Sequence, residues 1–407
     1  MGFAEAVPAP EVALNLHDHG FDVTAFARTD SGCPLGALSF VKIVEVPPPE
    51  RGVDQALDGL QQTCQVADAD LVMPLCDPSL WALDQLARNG GIPQGVRLLM
   101  PGPLAVRVAL DKRLQIEAAR AVGLRAPPTL FVEPRGSIAD WDRFPCVAKP
   151  AEAVTIKHGR SGKGENMFFS ETDQLANWCM QQCSGSYLVQ PYIRGTGEGV
   201  FGVVRNGRVL AWSGHRRLRL NNPAGGAASA VEAQQTDAAT RRQVQDFLRA
   251  CHWEGMFMVE FLRDQAGTLW FMELNGRAWG SMALACRQGF NYPAWSAKMA
   301  VDPGFEPTIP EAIGECRVRH LGWEVLHLLF ALRGPPMRAL SPGWPPRRTA
   351  LRQVLSYDGL SSFYNFHPRY PWFFVRDAVW HLRSILRGRL NFKRLVHHIA
   401  RIISRPS

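Results

Sequence analysis

Trp270-Phe271-Met272-Glu273-Leu274-Asn275-Gly276-Arg277-Ala278-Trp279-Gly280-Ser281 runs an apolar strand straight into a carboxylate, an amide and a guanidinium at alternate positions. Side chains two apart on a strand share a face, so Glu273, Asn275 and Arg277 are expected to point together into one cleft. An acid, a neutral oxygen donor and a fixed cation suit Mg²⁺ and phosphate oxygens. A second acid, Glu260, lies in the strand-like run Met256-Phe257-Met258-Val259-Glu260-Phe261-Leu262, and Asp264-Gln265-Ala266-Gly267-Thr268 between the runs reads as a hairpin loop. That hairpin would set Glu260 and Glu273 side by side on antiparallel strands. A structural ion pair at a strand end would use the same residues, so the rest of the chain has to decide.

The chain has 407 residues, 46% hydrophobic and 20% charged, which is room for two or three domains with full cores and argues against disorder. Its nine cysteines are odd in number and form no CxxC pair or zinc-ligand spacing, as expected of reduced thiols in a cytoplasmic protein. The N-terminus lacks the basic and apolar regions of an export signal, and no stretch is long and apolar enough to span a bilayer. The net charge of +8 is unevenly placed. From Arg333 to Ser407 there are 14 Lys and Arg against Asp358 and Asp377, about +12, which leaves the first 332 residues near −4.

Residues 1–105 alternate helix-like and strand-like segments. Asp22–Phe26, Phe40–Val44 and Asp70–Leu75 are short β-rich runs, and Val53–Val66 and Ser79–Asn89 have helical spacing. This predicts an α/β domain with a parallel sheet. Glu11–His19 already reads as the first helix, with Gly20 as its stop, so either the opening strand is lost or the start lies upstream. No glycine-rich fingerprint follows a strand, which excludes a dinucleotide here.

Residues 106–330 have a different character. Pro103–Gly123 is strongly helical and contains Asp111-Lys112. Phe144–Pro150 is a strand ending in Lys149. Lys157-His158-Gly159-Arg160-Ser161-Gly162-Lys163-Gly164-Glu165 is a glycine- and cation-rich loop that lacks Walker A spacing, in which Lys163 is a candidate phosphate contact. Tyr187–Ile193 is another strand, followed by Gly195-Thr196-Gly197-Glu198-Gly199 and a hairpin around Asn206-Gly207.

In this order the signatures resemble those of the ATP-grasp superfamily, over roughly residues 105–325, with residues 20–100 similar to the domain that usually precedes it. Asp111-Lys112 and Ala148-Lys149-Pro150 resemble the two nucleotide lysines, Gln190–Ile193 the interdomain hinge, and Glu260 with Glu273-Leu274-Asn275-Gly276-Arg277 the metal-binding end. The last motif looks most like the carboxylate-amine ligase and carbamoyl-phosphate-synthase-like branch. The resemblance implies an α/β chain: a parallel-sheet domain lacking a recognisable first strand, followed by an ATP-grasp fold with a mobile lid at about 138–187.

It also implies Mg²⁺, or Mn²⁺, held between ATP phosphates by Glu260, Glu273 and Asn275, with Lys112 and Lys149 on phosphate oxygens. Adenine would lie near Gln190 and Ile193, and the ribose hydroxyls near Glu198. Arg277 and Arg217 would hold the γ-phosphoryl group or a substrate carboxylate. The activity implied is ATP-dependent ligation of a small carboxylate, such as an amino acid, to an amine through an acylphosphate. An ATP-binding scaffold, or a carboxylase or carboxylate kinase, are the alternatives. Two positions depart from the family pattern: the hinge has Gln190-Pro191 where an acid is common, and the lid loop lacks a tight glycine pair.

Residues 331–407 lie outside the resemblance. A Pro-rich connector leads to Pro371-Trp372-Phe373-Phe374-Val375, then apolar positions at helical spacing interleaved with Arg383, Arg387, Arg389, Lys393, Arg394 and Arg401. A helical appendage packed on the catalytic domain is the first expectation. Peripheral contact with anionic membrane is the second, favoured over nucleic acid by the aromatic residues beside the arginines.

Overall fold

The computed structural model describes residues 1–386 apart from 139, 182, 312–313, 338–339, 342 and 357–358. The N-terminal layer comprises α1 (Ala9–Asp18), β1 (Val23–Arg28), β2 (Val41–Val46), α2 (Val53–Val66), β3 (Leu71–Val72), α3 (Asp77–Arg88) and β4 (Arg97–Leu98). β1 pairs in parallel with β2, and β3 with β4. The place of the strand that sequence reading finds missing is taken by an isolated bridge at Gly2, which pairs in parallel with both Phe26 and Pro74, and Phe26 N–H donates to Met1 O at 3.0 Å. Residues 1–4 escape a periodicity search because so short a run carries no alternation.

The expected single helix over 103–123 is two, α4 (Pro103–Leu110) and α5 (Lys112–Ala121). Asp111 between them is extended (φ −122°, ψ 109°), and its carboxylate accepts the Arg113 and Leu114 N–H groups at 2.8 and 3.4 Å. Such an N-cap contributes about 1 kcal/mol. Lys112 N–H donates to Ala151 O at 2.8 Å, which fixes where the lysine begins its helix.

The segment expected as the lid, 138–187, falls within a four-stranded antiparallel sheet, in spatial order β5 (Leu130–Val132), β10 (Tyr187–Pro191), β6 (Cys146–Pro150) and β9 (Met167–Phe169), backed by α6 (Thr172–Gln181) and called the lid sheet below. Trp141, Phe169, Leu175, Trp178 and Val189 form its own small core. The segment expected as a loop over 157–165 begins as a hairpin, β7 (Thr155–Lys157) with β8 (Arg160–Gly162), turning at His158 and Gly159. Both have positive φ, and two such residues in a two-residue turn match the twist of the strands. The hairpin docks on the N-terminal layer: Val53 N–H donates to Gly159 O, and Ser161 N–H to Pro49 O, both at 2.8 Å.

The body is a six-stranded antiparallel sheet ordered β15 (Leu269–Asn275), β14 (Gly255–Asp264), β11 (Gly195–Arg205), β12 (Arg208–Leu220), β13 (Ala228–Ala233) and β16 (Arg317–Arg319). On one face Val200, Phe257, Val259, Phe261 and Phe271 pack on α7 (Ala238–Ala250) through Val244, Phe247 and Leu248. Truncating one of these buried phenylalanines to Ala would cost about 3–5 kcal/mol. On the other face Phe201, Val203, Met256 and Met258 meet α8 (Met282–Arg287), α9 (Tyr292–Val301) and α1, with Trp279, Tyr292 and Trp295 at the centre. The described residues end in α10 (Leu321–Arg333), α11 (Arg347–Leu355) and α12 (Pro371–Leu386), the last packed on α10 and on Pro34–Ala37. The basic residues expected to continue this helix beyond 386 lie outside the described residues.

Candidate active site

The β14–β15 hairpin places Glu260 directly opposite Glu273, Met258 opposite Asn275, and Val259 opposite Leu274. Alternation then puts Glu260, Glu273 and Asn275 on one face and Val259 and Leu274 on the α7 side, and a bulge at Met272, where the register shifts between Glu260 and Phe261, turns Phe271 to the α7 side as well. Two carboxylates facing each other across a strand pair repel unless cations join them. Lys112 Nζ lies 3.3 Å from Glu273 Oε2, and an Arg217 terminal nitrogen 2.5 Å from Glu260 Oε2. Asn275 Nδ2 donates to Glu260 Oε1 at 3.4 Å.

β12 brings Arg217 to this face by register, since Glu198 pairs with Arg216, and therefore Gly197 with Arg217. A Cβ on Gly197 would lie 2.6 Å from Arg217 Cδ, and one on Gly199 2.8 Å from His215 Nε2. Glycine at both positions makes room for the long side chains. Arg217 Nε is buried without a hydrogen-bond partner, a donor waiting for an acceptor.

A cleft of about 780 Å³ opens between this face and the lid. The lid side contributes Lys149, Lys163, Phe168, Gln190, Tyr192 and Ile193, and the sheet side Arg217, Glu260, Met272 and Glu273. Lys149 Nζ donates to Gln190 Oε1 at 3.1 Å, and Gln190 Nε2 to Thr129 Oγ1 at 3.0 Å, which aims both side chains. Burial pushes the Lys149 ammonium down to about 8, and Lys112 adds to this, while Glu273 and Glu260 only partly offset it. Lys112 itself is raised: burial alone would lower it, but Glu273, Asp77 and Glu260 outweigh that. Burial would raise Glu273, yet Lys112, with help from Arg277 and Lys163, holds it below the usual carboxylate range. The cluster is charged, with each acid matched by a cation.

Of the residues that sequence reasoning assigns to the site, Lys112, Lys149, Lys163, Gln190, Ile193, Arg217, Glu260 and Glu273 line this one cleft and Asn275 stands beside Glu260, whereas Glu198 and Arg277 do not line it. Glu198 faces the α7 side of the sheet, one position out of phase with Gly197 and Gly199. There Arg263 holds its carboxylate at 2.6 and 2.9 Å, and it does not line the cleft. Arg277 follows β15, and its Nε donates to Asp77 Oδ1 at 2.9 Å, behind the Lys112–Glu273 pair. Asp77 is the residue the reading missed. It sits in the first turn of α3, just beyond β3, and the carboxyl ends of parallel strands are where such domains meet ligands. Burial would raise Asp77, but Arg277, then Lys163 and Lys112, hold it low. Leu340 and Trp344, from the region expected to lie apart, also line the cleft, as does the turn at Pro223–Ala227.

Two antiparallel sheets facing each other across a charged cleft, preceded by a parallel-sheet layer, make the ATP-grasp fold. An L-amino acid ligase from Bacillus licheniformis is similar over 78% of this chain and 78% of its own, with TM-score 0.57 and 18% identity. N5-carboxyaminoimidazole synthetase from Staphylococcus aureus, complexed with ADP, is similar over 80% and 82%, with TM-score 0.58 and 15% identity. A biotin carboxylase from Campylobacter jejuni covers 78% of this chain and 74% of its own, with TM-score 0.58 and 15% identity. The sequence matches no protein-family model and no curated protein. At such identities the likeness concerns the fold, and the chemistry rests on the site.

Proposed function

We propose that this protein is an ATP-dependent ligase that joins a small carboxylate to an amine. The observation that carries the reading is the Glu260–Glu273 pair, set across two strands and held by Arg217 and Lys112 at the floor of a cleft between two sheets. A pair of hard oxygen ligands beside phosphate oxygens suits Mg²⁺, or Mn²⁺, and Asn275 stands next to them. These three residues would hold the ion, which when bound neutralises charge developing on the phosphoryl oxygens.

Lys112 and Lys149 would contact phosphates, with Lys163 entering from the lid. Pro191 has no N–H and Tyr192 N–H already donates to Pro145 O, so the adenine edge would be read around them, at Gln190 and Ile193. Arg217, with its unpartnered Nε, would hold the transferring phosphoryl group or the substrate carboxylate. Arg277, braced by Asp77, would keep the Lys112–Glu273 pair in place.

A carboxylate oxygen attacks the γ-phosphorus as the bond to the ADP oxygen breaks, giving an acylphosphate and ADP. The amine nitrogen then attacks the acyl carbon, phosphate leaves with the C–O electron pair, and the nitrogen loses its proton. Closure of the lid sheet over the cleft would keep water from the acylphosphate.

The test is ADP and phosphate release from Mg-ATP across a panel of amino acids and other carboxylates, each with and without amines. Release that needs one carboxylate and one amine supports ligation. Release with carboxylate alone would make the protein a carboxylate kinase, and no release with any of the panel would favour a nucleotide-binding scaffold.

A further inference from the structure

Helix α12 buries polar residues beside Phe373 and Ile385 and leaves a row of apolar ones exposed. Asp377, His381 and Ser384 are buried, whereas Trp372, Val375, Val379 and Leu382 are 77%, 47%, 38% and 38% exposed. The four apolar residues fall at i, i+3, i+7 and i+10, a single stripe along the helix. Arg376 and Arg383 are exposed on the same side, four residues after Trp372 and after Val379 respectively.

The helix is not free to roll its stripe inward, because polar contacts pin the opposite side. Asn365 donates to Asp377, His381 Nδ1 lies 3.2 Å from Asp377 Oδ2, and Trp380 Nε1 donates to Ser31 O at 3.1 Å. Gly322 of α10 admits His381, since a Cβ there would lie 2.7 Å from the ring's own Cβ. The inner face is therefore committed, and the outer face presents tryptophan, aliphatic residues and arginine to whatever lies outside.

We propose that the exposed face of α12 lies on the surface of a bilayer containing anionic lipid. Charge complementarity argues for that occupant. The chain from Arg333 onward holds 14 Lys and Arg against two acids, and the 21 residues after Leu386 contain six cations and no acid among aliphatic side chains. Tryptophan favours the headgroup level, and arginine reaches phosphates while its stem stays on apolar surface. A nucleic acid would select the cations but leave the aliphatic stripe without a partner. No helix among the described residues is long and apolar enough to cross a membrane, so contact would be in the plane of the interface. The α11 helix repeats the pattern on a smaller scale, with Leu351 and Leu355 exposed beside Arg348 and Arg352.

The full-length protein is floated with vesicles of phosphatidylcholine alone and of phosphatidylcholine mixed with phosphatidylglycerol. It should rise with the anionic vesicles, stay behind with the neutral ones, and lose most binding at high salt. Trp372→Ser with Val379→Ser should lower the bound fraction about tenfold or more, and Arg376→Glu with Arg383→Glu should do so at low salt. Thermal unfolding of each variant at the native temperature shows that the fold is kept, as expected for exposed positions.

Failure to rise with anionic vesicles would overturn the proposal. So would equal binding by the Trp372/Val379 variant, or a soluble dimer that the same variant splits, which would give the face to a second copy of the chain.

Discussion

Arg217 with Glu260, and Arg263 with Glu198, are two arginine–carboxylate pairs of one sheet, at 2.5 and 2.6 Å, on opposite faces; the first reaches across β11 from β12 to β14, and the second joins the neighbours β14 and β11. By distance alone they are twins. Around the first lie Lys112, Glu273 and an open cleft, and its arginine keeps an unpartnered buried Nε. Around the second, Arg263 also donates to Gly267 O and so ties the β14–β15 turn to the strand behind it. An ion pair becomes a candidate site when its neighbours leave donors and space for a further ligand, and it remains a brace when they use them up.

That contrast can be broken most sharply at the acid pair. Glu273→Gln should reduce carboxylate-dependent ADP release by about 10³-fold while the urea midpoint stays near that of the parent protein. A native rate in this variant would remove the metal assignment. Arg217→Met should cost about 10²-fold in the same assay if, as proposed, its charge acts on the phosphoryl group.

Lys149 offers a pH test. Its ammonium is lowered to about 8, and a bound phosphate would raise it again. Nucleotide binding should therefore take up a proton above about pH 8 and weaken about tenfold as pH rises through and well beyond that value. Equilibrium binding of ATP against pH in the parent and in Lys149→Arg checks this; the variant should lose the inflection. In the free protein the same shift acts in the other direction. The folded chain gives up this proton at lower pH than the unfolded chain, so the residue's contribution to stability rises between about pH 8 and the ordinary lysine value of 10.5.

The smallest effect belongs to the other face. Arg263→Met should change turnover less than about threefold and lower stability by about 0.5–1 kcal/mol, since the pair is partly exposed. If Arg263→Met instead abolished turnover, the two faces would not be functionally distinct.

Much of this arrangement is legible in the sequence because it follows from short-range rules. Apolar runs on either side of Asp264–Thr268 imply the hairpin, and the hairpin implies that Glu260 meets Glu273. Phase is harder. Glu198 stands among glycines near the hinge and looks like a cleft residue, yet whether it or its neighbours face the ligand depends on the register of β11 against β12 and β14. A slip of one position reverses the answer, although two glycines flanking an acid already hint that the crowded face is theirs. Asp77 was hidden for another reason. It is about 200 residues from Arg277 in the chain, and only the packing of one domain on another brings them together. Residues 1–4 were missed because four residues cannot show a period, and Trp344 because a Pro-rich connector carries no sign of what it covers.

The lid hairpin fastens to the N-terminal layer through Gly159 O and Ser161 N–H, that is, through main chain on both sides. Such a clasp makes no use of the side chains at the flanks of the turn. The exposed residues Lys157 and Arg160 are free to vary without loosening it, whereas His158 and Gly159, at positive φ, are not, so the charge at the tip and the hold on the hairpin could be altered by substitution almost independently.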